Sequence, residues 1–199
     1  MMNKHIEELQ KLKIVLGSQS PRRAALLRQM NLNFRIQTKE TEELVPSDIS
    51  ATEAAKYLAH LKAKPLLQEL QAGELLLTSD TVVLLDGEIL GKPENPSEAK
   101  DMLRRLSGNK SAVTTGVFLG NQQQHELFDV TTTVFFHQLT TNEIDHYISN
   151  FQPFDKAGAY GIQEWIGQIG IEKIEGCYYN VMGLPTSEIW QRLKKMLAE

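Results

Sequence analysis

Residues 14–30 read IVLGSQSPRRAALLRQM and predict a strand that passes at once into a helix. Residues 14–16 form an apolar run typical of a buried strand. Ser20 is a favourable N-cap residue, and Pro21 suits the first helical position, so the helix should begin there. A strand followed so closely by a capped helix indicates a fold that combines a sheet with packed helices.

Two arginines occupy the first turn of this predicted helix, where the macrodipole is already positive. Arg22 and Arg23 would lie beside unpaired backbone N–H groups, an unfavourable place for cations. In one interpretation, an arginine folds back onto a nearby carboxylate. In the other, the N–H groups and the two guanidinium groups together bind a phosphate. This stretch alone favours neither interpretation.

Composition and charge limit the classes of function. The chain has 199 residues, 41% of them hydrophobic and 23% charged, as expected of one globular domain that spans residues 1–199. Its formal net charge of −4 argues against a general nucleic-acid binder. A phosphate site would therefore be a local basic pocket on an acidic protein.

The single cysteine and the N-terminal segment predict a cytoplasmic protein. Cys177 is the only cysteine, so an internal disulfide is excluded, and we expect a buried structural thiol. The first 13 residues, MMNKHIEELQKLK, lack the apolar core of a signal peptide. Since no apolar run approaches the ~20 residues needed to span a bilayer, we expect no membrane association.

The remaining sequence predicts helices and strands that alternate loosely. Residues 52–70 have helical spacing and either stop near Pro65 or continue beyond it. Residues 74–90 predict two strand segments interrupted at residues 78–80 and followed by an Asp86-Gly87 hairpin turn. Later segments predict a helix from about Ser97 through Leu106, two long strands, a helix capped by Thr141, a strand containing IGIEKIEG and a final helix. The hairpins indicate an α/β or α+β fold with a mixed sheet.

Acidic residues follow two predicted strands. Asp80 comes after the apolar run ELLLTS, so we expect it at or near the end of a strand, as a salt-bridged turn residue or as part of a ligand site. Glu42 and Glu43 come in a loop after another predicted strand and are solvated surface in the simpler interpretation. Either glutamate could instead join Asp80 as an oxygen ligand of a hard divalent cation such as Mg²⁺.

Lysines and a small-residue stretch supply further candidates. Lys62 and Lys64 lie on a predicted helix, and Lys92 lies in a Gly-Lys-Pro turn, although lysines are mostly solvated. The P-loop pattern is missing from GSQSPRR. Residues 155–163, DKAGAYGIQ, contain two glycines and two alanines, which suggests backbone that approaches another group closely. A packed turn with capping side chains is the alternative.

Taken in order, several segments of the chain resemble those of the Maf family of nucleoside triphosphate pyrophosphatases. The resemblance runs from about residue 14 to residue 193 and depends on the joint order of the motifs. The segments are SQSPRR, SDTVV, GKP, MLRRLSG, TTGV, DKAGAYGIQ and VMGLP.

The resemblance implies an elongated α/β fold: a mixed sheet flanked by helices, with two lobes and a central cleft, similar to Maf and Ham1 proteins. It implies hydrolysis of a nucleoside triphosphate to the monophosphate and pyrophosphate with a divalent cation, Mg²⁺ or Mn²⁺. Asp80 matches the catalytic proton acceptor, and Glu43 and Asp80 match metal-handling positions. The implied substrate-binding residues are Ser18, Arg22, Arg23, Lys62, Thr81, Lys92, Asp155, Lys156 and Gln163.

The AGAYGIQ variant is similar to the family branch that acts on dTTP and UTP. The alternatives are the 7-methyl-GTP branch of the same family and a nucleotide-sensing regulator of cell division with little turnover. Two features depart from the family pattern: Glu164-Trp165 replaces a frequent glycine, and Ser111 replaces a frequent histidine. The expected partner is the nucleotide alone, with no nucleic acid or membrane, and a homodimer stays open as the assembly.

Overall fold

A single mixed sheet organises the computed structural model, which describes residues 2–198. Within these residues the sheet has seven strands: β1 (Lys13–Leu16), β2 (Phe34–Ile36), β3 (Glu74–Leu85), β4 (Glu88–Leu90), β5 (Lys110–Gly120), β6 (His125–Phe136) and β7 (Ile171–Glu175). Their order is β2-β1-β3-β5-β6-β7, and β4 pairs with β3. β1 is parallel to β2 and β3, whereas the β3–β4 and β6–β7 pairs are antiparallel. The predicted α/β fold with a mixed sheet is confirmed.

Helices fill most connections between these strands. They are α1 (Met2–Lys11), α2 (Pro21–Gln29), α3 (Ala54–Leu67), α4 (Pro96–Leu106), α5 (Thr141–Phe151), α6 (Trp165–Gly170), α7 (Tyr178–Val181) and α8 (Thr186–Met196). Two short 3₁₀ turns, Pro153–Asp155 and Ala157–Ala159, follow α5. No helix within residues 2–198 combines the length and the apolar character needed to cross a bilayer.

The chain divides into two compact units, each assembled from separate segments. Unit 1 comprises Met1–Asp80, Thr115–Val130 and Gly183–Glu199, and unit 2 comprises Thr81–Thr114 and Thr131–Met182. Organisation as one domain stays a prediction.

In unit 1, the core forms around β1. Its apolar residues 14–16 are at most 1% exposed, as expected of a strand covered on both faces. One buried cluster joins strands to α3 and contains Val15, Ala63, Leu66, Leu76 and Phe118. Ser20 caps α2 as predicted, since its Oγ accepts a hydrogen bond from the Arg23 N–H at 3.5 Å.

In unit 2, α4 and α5 pack against each other over a larger apolar cluster. Asn95 caps α4, and its Oδ1 accepts from the Glu98 N–H at 3.0 Å. The α5 cap is Thr140, one residue earlier than predicted, because Thr140 and Glu143 form a reciprocal capping box. Tyr147 of α5 is fully buried within this cluster.

Three predictions of local structure differ from the structure or are sharpened by it. Residues 74–85 form one continuous strand, so the predicted interruption at residues 78–80 is wrong. The helix α3 continues past Pro65, which lies in its last turn. Cys177 is partly exposed, contrary to the predicted buried thiol. Sequence reasoning also missed three helices, α1 and the short helices α6 and α7.

Candidate active site

The N-terminus of α2 is built around the Ser18 hydroxyl, which is buried. Ser18 Oγ accepts hydrogen bonds from the Ser20 N–H at 3.2 Å and from Arg23 Nη1 at 3.1 Å. Arg23 Nε donates to the Gly183 carbonyl oxygen at 2.9 Å, which ties this turn to a segment 160 residues away. Arg23 therefore anchors the β1–α2 connection in addition to supplying a positive charge.

Electrostatics link Arg23 to the acidic candidates of unit 1. Burial lowers the pKa of Arg23, the carboxylates of Asp80 and Glu43 raise it, and the neighbouring Arg22 charge lowers it. Charges that shift one guanidinium in this way lie within electrostatic reach of it. The structure thus places the two arginines near Asp80 and Glu43, as the carboxylate interpretation requires, while the phosphate interpretation stays a prediction.

Lys62 joins the two predicted metal-handling carboxylates. From α3, its Nζ lies 2.5 Å from Asp80 Oδ1 and 3.0 Å from Glu43 Oε1. The Lys62 and Asp80 side chains are 18% and 13% exposed, while Glu43 is 51% exposed, so the cluster opens to solvent on the Glu43 side. Two carboxylates that meet at one ammonium form a compact anionic pair.

The donor set of this pair fits a hard divalent cation. Both Asp80 and Glu43 supply carboxylate oxygens and already surround one positive charge, the Lys62 ammonium. Mg²⁺ is typically held by one or two carboxylates, and water and substrate phosphates complete its shell. Within residues 2–198, no three His, Cys, Asp or Glu side chains cluster as a self-sufficient metal site.

The position of Asp80 in its strand differs from the sequence prediction. Asp80 lies inside β3 rather than at its end, since β3 continues past its pairing with β1 and has β5 as its other neighbour in the sheet. The parallel register with β1 ends at Leu77, and the antiparallel register with β4 begins at Val83. The Asp80 carboxylate therefore follows the end of the parallel pairing, even though the strand itself continues.

A second cluster of predicted site residues lies in unit 2 around Lys156. The Lys156 side chain is 10% exposed, and its Nζ lies 2.6 Å from Asp155 Oδ1 and 3.1 Å from Glu164 Oε1. Glu164, the departure from the family pattern, also accepts a hydrogen bond from the Tyr147 hydroxyl. The structure therefore unites Asp155 and Lys156 and adds Glu164 and Tyr147, which sequence reasoning did not assign.

The backbone of residues 157–161 makes the close approaches that its composition suggests. Gly158 has φ of 70°, a left-handed conformation that favours glycine, and its N–H donates to the Gly91 carbonyl at 3.0 Å. This bond ties the stretch to the turn that carries Lys92, which is exposed. Gln163 and Thr81 are both partly buried, and they belong to different chain segments of unit 2.

Two site contributions escaped sequence reasoning because they depend on long-range contacts. The Gly183 carbonyl accepts from Arg23 and also from Ser79 Oγ at 3.5 Å, next to Asp80. Gly183 belongs to the VMGLP motif, which contributes to the family resemblance but assigned no role to this glycine. Tyr147 lies 14 residues before Gly161 on α5, and no local pattern marks its hydroxyl as part of the cluster.

The family model "Maf-like protein" matches residues 13–196, and the chain belongs to the Maf family. The chain is 43% identical over 189 residues to a dTTP/UTP pyrophosphatase of Bacteroides thetaiotaomicron, which covers 94% of this chain and 98% of that protein. It is 44% identical over 192 residues to a dTTP/UTP pyrophosphatase of Phocaeicola vulgatus, with 96% and 100% covered.

Among solved structures, the chain is similar to the Staphylococcus aureus Ham1 protein. The TM-score is 0.48 at 13% identity, and the match covers 90% of this chain and 99% of that one. The family assignment depends on the sequence relatives and the family model alone.

Proposed function

We propose that this protein is a nucleoside triphosphate pyrophosphatase that prefers dTTP and UTP. The observation that carries the proposal is the cluster in which Lys62 contacts both Asp80 and Glu43, within electrostatic reach of Arg23. Such a cluster combines an acidic pair for a cation or a proton with positive groups for phosphates. Membership of the Maf family and the names of the two relatives support the same activity.

Phosphate binding is assigned to the positive groups and to the α2 N-terminus. The backbone N–H groups of the first turn, with Arg22 and Arg23, offer donors to phosphate oxygens, and Ser18 is held beside them. Lys62 adds a positive charge in unit 1. In unit 2 we assign the same role to Lys92 and Lys156, and Asp155 orients Lys156 through their 2.6 Å contact.

Hydrolysis then needs one proton acceptor. The oxygen of a water molecule forms a bond to the α-phosphorus, and the bond from that phosphorus to the bridging oxygen breaks. Pyrophosphate leaves with the electron pair of that bond. We assign Asp80 Oδ2 as the atom that takes the proton of the water, while the Lys62 contact fixes the carboxylate through Oδ1.

Asp80 and Glu43 would hold the divalent cation, which we propose to be Mg²⁺ or Mn²⁺. When bound, such a cation neutralises phosphate charge and lowers the pKa of a bound water. Dialysis against EDTA should therefore abolish pyrophosphate release, and adding Mg²⁺ or Mn²⁺ should restore it. Full activity after exhaustive chelation would contradict the metal assignment.

Base preference is assigned to Gln163 and Thr81. The Gln163 amide carries a donor and an acceptor, which match the O4 and N3–H groups of uracil and thymine. Thr81 follows Asp80 in β3 and offers a hydroxyl. These groups favour a pyrimidine over a purine.

The decisive experiment is a substrate panel with purified protein. Pyrophosphate release is measured for dTTP, UTP, CTP, ATP, GTP and 7-methyl-GTP with Mg²⁺ and with Mn²⁺. We expect dTTP and UTP to have the highest kcat/KM. Faster hydrolysis of GTP or 7-methyl-GTP would contradict the base assignment, and tight binding without turnover would favour a nucleotide-sensing protein.

A further inference from the structure

The Tyr147 hydroxyl holds both ends of the short segment that carries Gln163. It accepts a hydrogen bond from the Gly161 N–H at 3.0 Å and donates one to Glu164 Oε2. The Tyr147 side chain is fully buried in α5, within the main core cluster of unit 2. Since Gly161 and Glu164 are the first and last of four consecutive residues, one rigid side chain fixes the segment around Gln163 at both ends.

The Gln163 amide packs closely against Gly161, one of the two residues that the Tyr147 hydroxyl holds. A Cβ at Gly161 would lie 2.8 Å from Gln163 Nε2 and 2.9 Å from Glu164 Cδ. The side chains of Gln163 and Glu164 therefore both fold over the Gly161 backbone, which only a glycine permits without displacing them. The hydrogen bonds of Tyr147 and the position of the Gln163 amide are thus parts of one packed group.

The Tyr147 hydroxyl is well suited to this task because it stays protonated. Burial raises the pKa of the Tyr147 phenol, and the hydrogen bond to Glu164 raises it further. The phenol therefore remains a donor to Glu164 throughout the pH range in which the protein is used. Lys156 Nζ, 3.1 Å from Glu164 Oε1, holds the same carboxylate from its other oxygen.

We propose that Tyr147 is a positioning residue that sets base discrimination by fixing the amide of Gln163. The proposal rests on the proposed function, in which Gln163 pairs with the base. Tyr147 itself makes no contact with the substrate in this scheme. Its removal should therefore weaken the recognition of uracil and leave the phosphate chemistry intact.

Tyr147→Phe tests the proposal, because it removes both hydrogen bonds and keeps the buried ring. We expect kcat/KM for UTP to fall about tenfold, because the loss of a net hydrogen bond changes affinity by roughly that factor of ten. The fall should come from a higher KM, and kcat should stay within about threefold of the wild-type value. The kcat/KM for ATP should stay within about twofold, since ATP gains little from a correctly placed Gln163. The UTP/ATP ratio is a readout that general loss of stability would not change.

Tyr160→Phe is the matched control. Tyr160 is also a buried tyrosine of unit 2, and the side chain that interacts with its hydroxyl is Ser111 of β5, which lies outside residues 161–164. Replacing this hydroxyl leaves both hydrogen bonds of Tyr147 in place. This variant should therefore keep the wild-type UTP/ATP ratio.

Gly161→Ala provides a second route to the same result and serves if Tyr147→Phe fails to fold. Its methyl group displaces the Gln163 amide directly, so the UTP/ATP ratio should again fall. Equal losses for UTP and ATP in both variants, or an unchanged ratio in both, would overturn the role of Tyr147. A wild-type protein that hydrolyses no nucleotide would instead overturn the proposed function.

Discussion

At the scale of single residues, the two arginines of the first α2 turn have different surroundings. Arg23 is held by the Ser18 hydroxyl and the Gly183 carbonyl, so part of its role is to fix the β1–α2 connection. Arg22 lowers the pKa of Arg23 through charge repulsion and lies at the positive end of the helix dipole. Arg22 is therefore the residue at which a functional role separates most clearly from a structural one.

Arg22→Ala should reduce triphosphate hydrolysis. The substitution removes one of the two cations in the first turn of α2, where the backbone N–H groups are unpaired. We expect kcat/KM for UTP to fall by about 10-fold or more, as for the loss of a charged phosphate contact.

Arg28→Ala is the control on the same helix. Arg28 lies in the last turn of α2, where its charge suits the dipole, and its guanidinium lies 5.6 Å from the centre of the Phe34 ring. This variant should lose about 0.5–1 kcal/mol of stability and keep wild-type activity. Equal losses of activity in both variants would refute the phosphate site at the helix terminus.

Asp80→Asn tests the proton acceptor at constant size. Loss of a general base typically costs ~10²–10⁴-fold, so we expect turnover to fall by that factor. Far-ultraviolet circular dichroism should remain that of the wild type, since asparagine still accepts a hydrogen bond from Lys62. Pyrophosphate release within a few-fold of the wild-type rate would exclude Asp80 as the base.

At the scale of elements, local sequence predicted well wherever a capping residue marks the boundary. Ser20 predicted the start of α2, and α4 begins at Pro96, one residue from the predicted Ser97. The apolar run ELLLTS predicts Asp80 at or near the end of a strand. The strand instead continues through residues 78–82, between its pairing with β1 and its pairing with β4, and β5 is its other neighbour in the sheet. No local pattern records such long-range pairing.

The candidate site also has features that the sequence could predict and features that depend on tertiary contacts. Asp80 could be recognised from the SDTVV motif, whereas Glu43 and Lys62 lie outside the quoted motifs, and the structure brings the three side chains together. The supporting contacts could not be predicted, because Arg23 meets Gly183 across 160 residues and Tyr147 of α5 contacts the Gly161 N–H, which lies outside any helix. Such contacts depend on packing between elements rather than on local propensity.

The contact between α3 and β5 gives a prediction at the scale of elements. A Cβ at Gly116 of β5 would lie 2.3 Å from the carbonyl carbon and oxygen of Ala55 and from the Lys56 nitrogen. These are backbone atoms of α3, which cannot move aside singly. Gly116→Ala should therefore destabilise the protein by about 3 kcal/mol or more, measured by urea unfolding.

Gly91→Ala is the matched control for stability. A Cβ at Gly91 would have no neighbour within 4 Å among the described residues. Its unfolding midpoint should stay close to that of the wild type. Similar midpoints for both alanine variants would show that α3 can move away from β5.

At the scale of the whole molecule, one ion pair joins strands on either side of β1. Arg35 of β2 contacts both carboxylate oxygens of Glu74 of β3 at 2.7 Å, and Glu74 is buried. The hydrogen bond from Arg35 is the main cause that lowers the pKa of Glu74 from 4.5 to about 2, and the Gln71 N–H also contributes. Burial opposes this shift.

This ion pair predicts a loss of stability in acid. Because the pKa of Glu74 is lower in the folded state, its stabilisation is fully present above about pH 4.5 and is lost as the pH falls towards 2. Since Arg35 is 41% exposed, we expect a contribution of about 1–2 kcal/mol. The free energy of unfolding of Glu74→Gln should thus depend less on pH between 5 and 2 than that of the wild type.

Glu88→Gln is the control for the acid titration. Glu88 is 69% exposed and pairs with Arg105 at 2.6 Å, and exposed pairs of this kind contribute little to stability. Its unfolding free energy should follow the wild-type pH profile. If Glu74→Gln also follows that profile, the Arg35–Glu74 pair does not cause the acid loss.

The segmented composition of unit 1 has a consequence for synthesis on the ribosome. Unit 1 takes its final segment from Gly183–Glu199, where α8 buries Ile189 and Leu193 and contacts α1. Translation proceeds from the N-terminus, so β1, α2 and the Lys62 cluster emerge long before the helix that completes their unit. The nascent chain must therefore carry an incomplete unit 1 until residues 183–199 have left the exit tunnel, a period in which chaperones have access to its apolar surface.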